Sequence, residues 1–80
     1  MGEKLSIAKI IGRNIKEHRM ELGLTQLQLA YKIGINSKTT IADVEAGRTN
    51  LHINILLRYA EALECTVEDL LKGYKYQNTK

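Results

Sequence analysis

The 80-residue sequence contains no proline, tryptophan or phenylalanine, and its only aromatic residues are four tyrosines. A core must therefore be built from Ile, Leu, Val and Ala. There is a single cysteine, Cys65. That excludes an internal disulfide and any cysteine-rich zinc site, and it suits a reducing compartment. Its expected role is that of a small apolar residue, buried or half-buried. No apolar run approaches the roughly 20 residues that a membrane span requires. The opening MGEKLSIAKIIG has neither a long apolar run nor a small-residue cleavage site, so no signal peptide is expected. His18 and His52 stand apart from each other and from Cys65, without metal-ligand spacing. No serine lies in a nucleophile elbow, and no glycine loop is spaced to cradle phosphate. The expectation is a non-enzyme without metal, cofactor or small-molecule ligand. A chain of this length buries only about 60% of its unfolded surface, enough for one modest domain.

What is present is helical in period. Apolar residues make up 44% of the chain and charged residues 26%, as in ordinary globular domains. The net charge of +3 suits a polyanionic partner without demanding one. Ile7, Ile10, Ile11, Ile15 and Leu22 recur at helical spacing, with Ser6 as N-cap and Gly23 as the terminator. Thr25 opens a second helix, with Gln28 completing a capping box and Leu27, Leu29, Ala30 and Ile33 as apolar positions. Gly34 stops it. Ser37 caps a third helix that turns Ile41 and Val44 inward, and Gly47 closes it. A fourth helix carries Ile53, Leu56, Leu57, Ala60 and Leu63 as one stripe. Thr66 and Asp69 form a second capping box at the head of a short fifth helix. Tyr31 and Tyr59 fall within helices and are expected to pack. With no period-2 alternation, repeat or low-complexity linker, the expected fold is all-α. It is one five-helix domain over residues 1–73, with a polar tail over 74–80 that carries Tyr74 and Tyr76.

The segment TQLQLAYKIGINSKTTIADVE joins a short helix with a small residue on its face, a glycine four residues later, a tight turn and a second helix. That is the physical description of a helix-turn-helix. With IGRNIKEHRMELGLTQLQLA before it and VEAGR and LLRYAEALECTVEDLL after it, the chain resembles the phage repressor and Cro-like (XRE-type) helix-turn-helix regulators. The likeness runs from Ile11 to about Leu71.

The resemblance implies roles for particular positions. Gln26 would contact a DNA phosphate, and the third helix would lie in the major groove. Lys38 and Thr39 would read bases and Asp43 would be a third reader. Ser37 and Thr40 belong to the same DNA-contacting set. Arg48 and Asn50 would hold phosphate, and Arg19 with Glu45 would form a structural salt bridge between the first and third helices. The chemistry agrees: lysine donates to guanine O6 or N7, and threonine bonds a base or touches a thymine methyl. Asp43 could accept from cytosine N4, or repel phosphate and so enforce register. Two departures stand out. One extra residue separates Gly34 from Ile41, and if it entered the helix itself the readers would rotate by about 100°. Glu64 stands where the family has a helix-ending glycine.

The implied function is a sequence-specific transcriptional regulator in the cytoplasm. It would bind a near-palindromic duplex operator as a homodimer, through Leu51, Ile55, Leu70 and Leu71. The AYK and RTNL segments lean toward restriction–modification controller proteins. The rival from another class is an interaction module, an antitoxin or assembly factor on the same fold. An RNA binder would need exposed aromatics and a basic run.

Overall fold

The computed structural model describes residues 6–74. Within them lie five helices and no strand: α1 (Ile7–Glu21), α2 (Gln26–Lys32), α3 (Lys38–Glu45), α4 (Ile53–Ala62) and α5 (Val67–Leu70). The start of four of them is fixed by a local side-chain cap. Ser6, Thr25, Ser37 and Thr66 each accept a hydrogen bond from a backbone N–H in the first turn of the helix that follows. Thr25 with Gln28 and Thr66 with Asp69 complete both reciprocal capping boxes. The carboxylate of Asp69 is held below its ordinary pKa by the Thr66 backbone N–H and then the Thr66 hydroxyl. His52 precedes α4 without a side-chain cap.

The core is aliphatic apart from one ring. Ile15, Leu29, Ala30, Ile41 and Leu70 are fully buried, and Tyr59 is nearly so. α3 packs on α1 and α2, and α5 packs on α1 and α4. The contact between α1 and α3 is backbone on backbone. A Cβ added to Gly12 would stand 2.2 Å from the Val44 carbonyl oxygen and 2.7 Å from that of Glu45, so no larger residue fits there. Asn14, buried on the same helix, donates both hydrogens of its amide, to the carbonyls of Leu70 at 2.8 Å and Lys72 at 2.9 Å. This satisfies the end of α5 and fastens it to α1.

Several expected positions differ. Ile53 and Leu57 belong to the apolar stripe of α4 by spacing, yet they are 65% and 48% exposed. Leu56, Ala60 and, at the C-cap, Leu63 are buried as that stripe predicts, and Tyr59 fills the rest of the inward face. Leu27 and Tyr31, one turn apart on α2, are also exposed, because α2 is short and buries only Leu29 and Ala30 within its span. Tyr59 packs as expected and Tyr31 does not. Leu70 is wholly buried, so it has no surface to offer a second subunit. Cys65 is half-buried, and burial followed by the charge of Asp69 pushes its thiol pKa up. Of the tail, Tyr74 closes a turn onto the Leu71 carbonyl; Tyr76 lies outside the described residues.

Candidate nucleic-acid interface

Three elements converge on one carboxylate. Glu45, in the last turn of α3, accepts from Arg19 Nε at 2.5 Å and Arg19 Nη2 at 3.1 Å. Its Oε1 also accepts from Gln26 Nε2 at 3.1 Å. Arg19 spends a further donor on the Leu24 carbonyl at 2.8 Å, in the loop between α1 and α2. The carboxylate side chain is 4% exposed and the guanidinium 12%. α1, α2 and α3 are thus held by a bidentate ion pair with shared hydrogen bonds, the arrangement in which a buried charge is tolerated. Gln26 enters the network at the first position of α2 and keeps one amide hydrogen for another acceptor. The Arg19–Glu45 pair is present in the structure. The link to Gln26 had no sequence signal, because it joins residues 19 positions apart.

α3 is the element so braced. Ile41 and Val44 bury one side of it. At about 100° per residue, Thr39 then points directly away from the core, with Lys38 and Thr40 on its flanks and Asp43 one turn on. Lys38, Thr39 and Thr40 are exposed and Asp43 is half-exposed. The extra residue of the turn lies before the helix: Ser37 is the N-cap and Lys38 the first helical residue. Ile35 and Asn36 carry the chain from Gly34, whose φ of +89° favours glycine. Thr39 is therefore not rotated off the outer face. The hydroxyl of Ser37 is occupied by its cap, accepting from the Thr40 N–H and from Thr40 Oγ1, each at 3.3 Å. Ser37 and Thr40 thus serve each other first.

Past α3 the chain turns sharply, and the two expected phosphate contacts part company. Arg48 folds back on α3. Its backbone N–H donates to the Asp43 carbonyl at 3.0 Å, and its Nη1 donates to Asp43 Oδ1 at 3.0 Å. Asn50 is exposed beside an apolar groove that it borders with Ile7, Leu51 and Ile53. Among the described residues no three His, Cys, Asp or Glu side chains gather to hold a metal ion, and no helix is long and apolar enough to cross a membrane.

A helix-turn-helix family model, HTH_3, matches residues 15–70. An uncharacterized HTH-type transcriptional regulator of Methanothermobacter thermautotrophicus is 47% identical over 49 residues, 61% of this chain and 70% of that protein. Among solved structures, the restriction–modification controller protein C.AhdI of Aeromonas hydrophila superposes with a TM-score of 0.73 at 28% identity. The match covers 79% of this chain and 94% of that one. The clp gene regulator ClgR of C. glutamicum shares the fold, with a TM-score of 0.82 at 22% identity over 89% and 90% of the two chains.

Proposed function

This chain belongs to the helix-turn-helix family HTH_3 of DNA-binding transcriptional regulators, and from that premise we propose that it acts as a homodimer on a near-palindromic operator. The observation that carries the reading is α3 itself. Its rear is buried by Ile41 and Val44, its end is braced by the Arg19–Glu45–Gln26 network, and its outer face is left to Lys38, Thr39 and Asp43. A rigid helix presenting donors on its outer face is what a major groove receives. Lys38 and Thr39 read base edges, and the free hydrogen of Gln26 together with Asn50 holds phosphate. One such helix covers only a few base pairs. A two-fold dimer sets two of them about 34 Å apart on one side of the duplex.

The dimer face we propose overlaps the one read from sequence at Leu51 and Leu71 and extends to Ile53 and Leu57. Leu70 is buried, and Leu51, Ile55 and Leu71 are half-buried against the core. Ile53 and Leu57, one turn apart on the outside of α4, are the exposed apolar pair. Beside Ile53 lies an apolar groove of about 340 Å³ lined by Ile7, Ile11, Leu51, Leu56 and Leu71. A second copy placing the same surface here would be self-complementary. The protein would work in the cytoplasm. Repression or activation at a promoter and the kinship with restriction–modification controllers belong to the same reading.

The test is selection of bound sequences from a random duplex library, with affinity then measured against salt for the winner and a scrambled control. A symmetric winner preferred by about 10³-fold or more supports the reading. Binding that selects nothing and vanishes with salt would be charge attraction alone, and the interaction-module function would replace it. Lys38→Ala should relax the preference at one base pair by about 1–3 kcal/mol. Equal losses on selected and scrambled DNA would remove Lys38 from the readers.

A further inference from the structure

Arg48 and Asp43 are held to each other twice. The backbone N–H of Arg48 closes the end of α3 on the Asp43 carbonyl at 3.0 Å, and the guanidinium returns to the Asp43 carboxylate at 3.0 Å. Both side chains remain accessible, 68% for Arg48 and 43% for Asp43. Asp43 lies one turn beyond Thr39 on the outer face of α3, four residues apart. The pairing therefore delivers the guanidinium onto the reading face rather than letting it extend toward a flanking phosphate.

We infer that Asp43 and Arg48 form one composite reading unit, in which the carboxylate holds the guanidinium so that its remaining donors meet a guanine in the major groove. This rests on the proposed placement of α3 in that groove. Three arguments support it. A guanidinium has five N–H donors in a rigid fork, so the one spent on Asp43 leaves enough for O6 and N7 together. The pair carries no net charge, so it gains little from displacing counterions at a phosphate. By contrast, Lys38 makes no ion pair among the described residues and keeps its full charge for the polyanion. The second carboxylate oxygen stays free to accept from cytosine N4, which makes the unit a reader of G·C rather than A·T. Asp43 then acts in part as a positioning residue. Its negative charge in a groove lined by phosphate is explained by the cation it holds.

The experiment is a double-mutant cycle on the full chain. Asp43→Ala, Arg48→Ala, the double variant and Arg48→Lys are measured on the selected duplex, on duplexes with each G·C pair replaced in turn, and on scrambled DNA, over a range of salt. Helix content measured by circular dichroism establishes that each variant is folded. The expected result has four parts. Each single variant loses about 10- to 100-fold on the selected duplex and little on scrambled DNA. The double variant loses no more than either single one. The same G·C pair ceases to matter in all of them, and the salt slope is unchanged. Arg48→Lys keeps the charge but not the fork, and should fail as Arg48→Ala does. The composite is overturned if Asp43→Ala tightens binding to all DNA while Arg48→Ala lowers the salt slope by about one, since that describes a phosphate clamp opposed by a carboxylate. It is also overturned if no G·C pair loses its effect while the wild type still selects a site, which leaves the operator-binding reading intact. If the wild type selects no site, both readings fail together.

Discussion

Glu45 accepts three hydrogen bonds on a side chain that is 4% exposed, from donors in α1 and α2. Removing Arg19 would leave that carboxylate buried with only an amide beside it. Arg19→Ala should therefore cost about 3–5 kcal/mol in urea unfolding, while replacing Arg19 and Glu45 together by Met and Leu should recover much of it. A loss below about 1 kcal/mol for Arg19→Ala would mean that the pair is solvated in solution. Tyr59 makes a second prediction at this scale. Burial, and then the charge of Glu45, push its phenol from 10.0 up to about 12. The folded state thus holds the proton more tightly than the unfolded chain. The stability this contributes is complete below pH 10 and is lost as pH rises from 10 through about 12. Tyr59→Phe should remove that part of the alkaline destabilisation, and an unchanged alkaline profile in the variant would assign the loss to other groups. Residues of this kind were partly legible. Arg19 and Glu45 could be paired through family resemblance, but Gln26 joining them, Arg48 returning to Asp43 and Asn14 binding the end of α5 could not. Each depends on where a helix end lands in three dimensions, and no periodicity encodes that.

At the scale of elements, one rule ends the first four helices. The N–H two residues past each cap reaches back five residues: Leu24 to Arg19, Ile35 to Ala30, Arg48 to Asp43 and Cys65 to Ala60. This Schellman arrangement places a left-handed residue just after the cap. Three of the four positions are glycine, and the fourth is Glu64 at φ +59°. A side chain there costs roughly 1–2 kcal/mol, offset in part by the greater freedom glycine has when unfolded. Glu64→Gly should therefore stabilise the protein by up to about 1 kcal/mol, seen as a rise in Tm with DNA binding unchanged. A fall in Tm would show that the glutamate makes contacts in solution that outweigh its strain. Caps and terminators were the most legible features, since Ser6, Thr25, Gly34, Ser37 and Thr66 act locally and local chemistry can be read in order. Burial was less so. Ile53 and Leu57 have the spacing of a core stripe, but α4 meets α5 through a different arc. A helix that is apolar over a broad arc does not announce which part of it a small domain can cover.

For the whole molecule, the uncovered part of that arc bears on oligomeric state. Ile53 and Leu57 lie on one side of α4, and the groove beside Ile53 continues the apolar surface toward Ile7 and Leu71. In a two-fold dimer every substitution acts twice, because each residue appears on both sides of the interface. Covering an exposed Ile or Leu stabilises by about 1.5–3 kcal/mol when burial is complete. Even half of that, counted twice, changes a dimer dissociation constant by about 10- to 100-fold. Ile53→Asp with Leu57→Asp should therefore yield a folded monomer in sedimentation at concentrations where the wild type is a dimer. Neither residue is in the core, so helix content and unfolding should hold near the wild-type values. Operator binding should become steeper in protein concentration and weaker, while a single half-site should be bound as before, because α3 and its brace are untouched. If the variant dimerises like the wild type, the interface lies elsewhere, and exposed Tyr31 and Leu27 on α2 become the next surface to change. If the wild type itself is a monomer that binds half-sites independently, the two-fold operator reading fails, even though α3 would still read DNA.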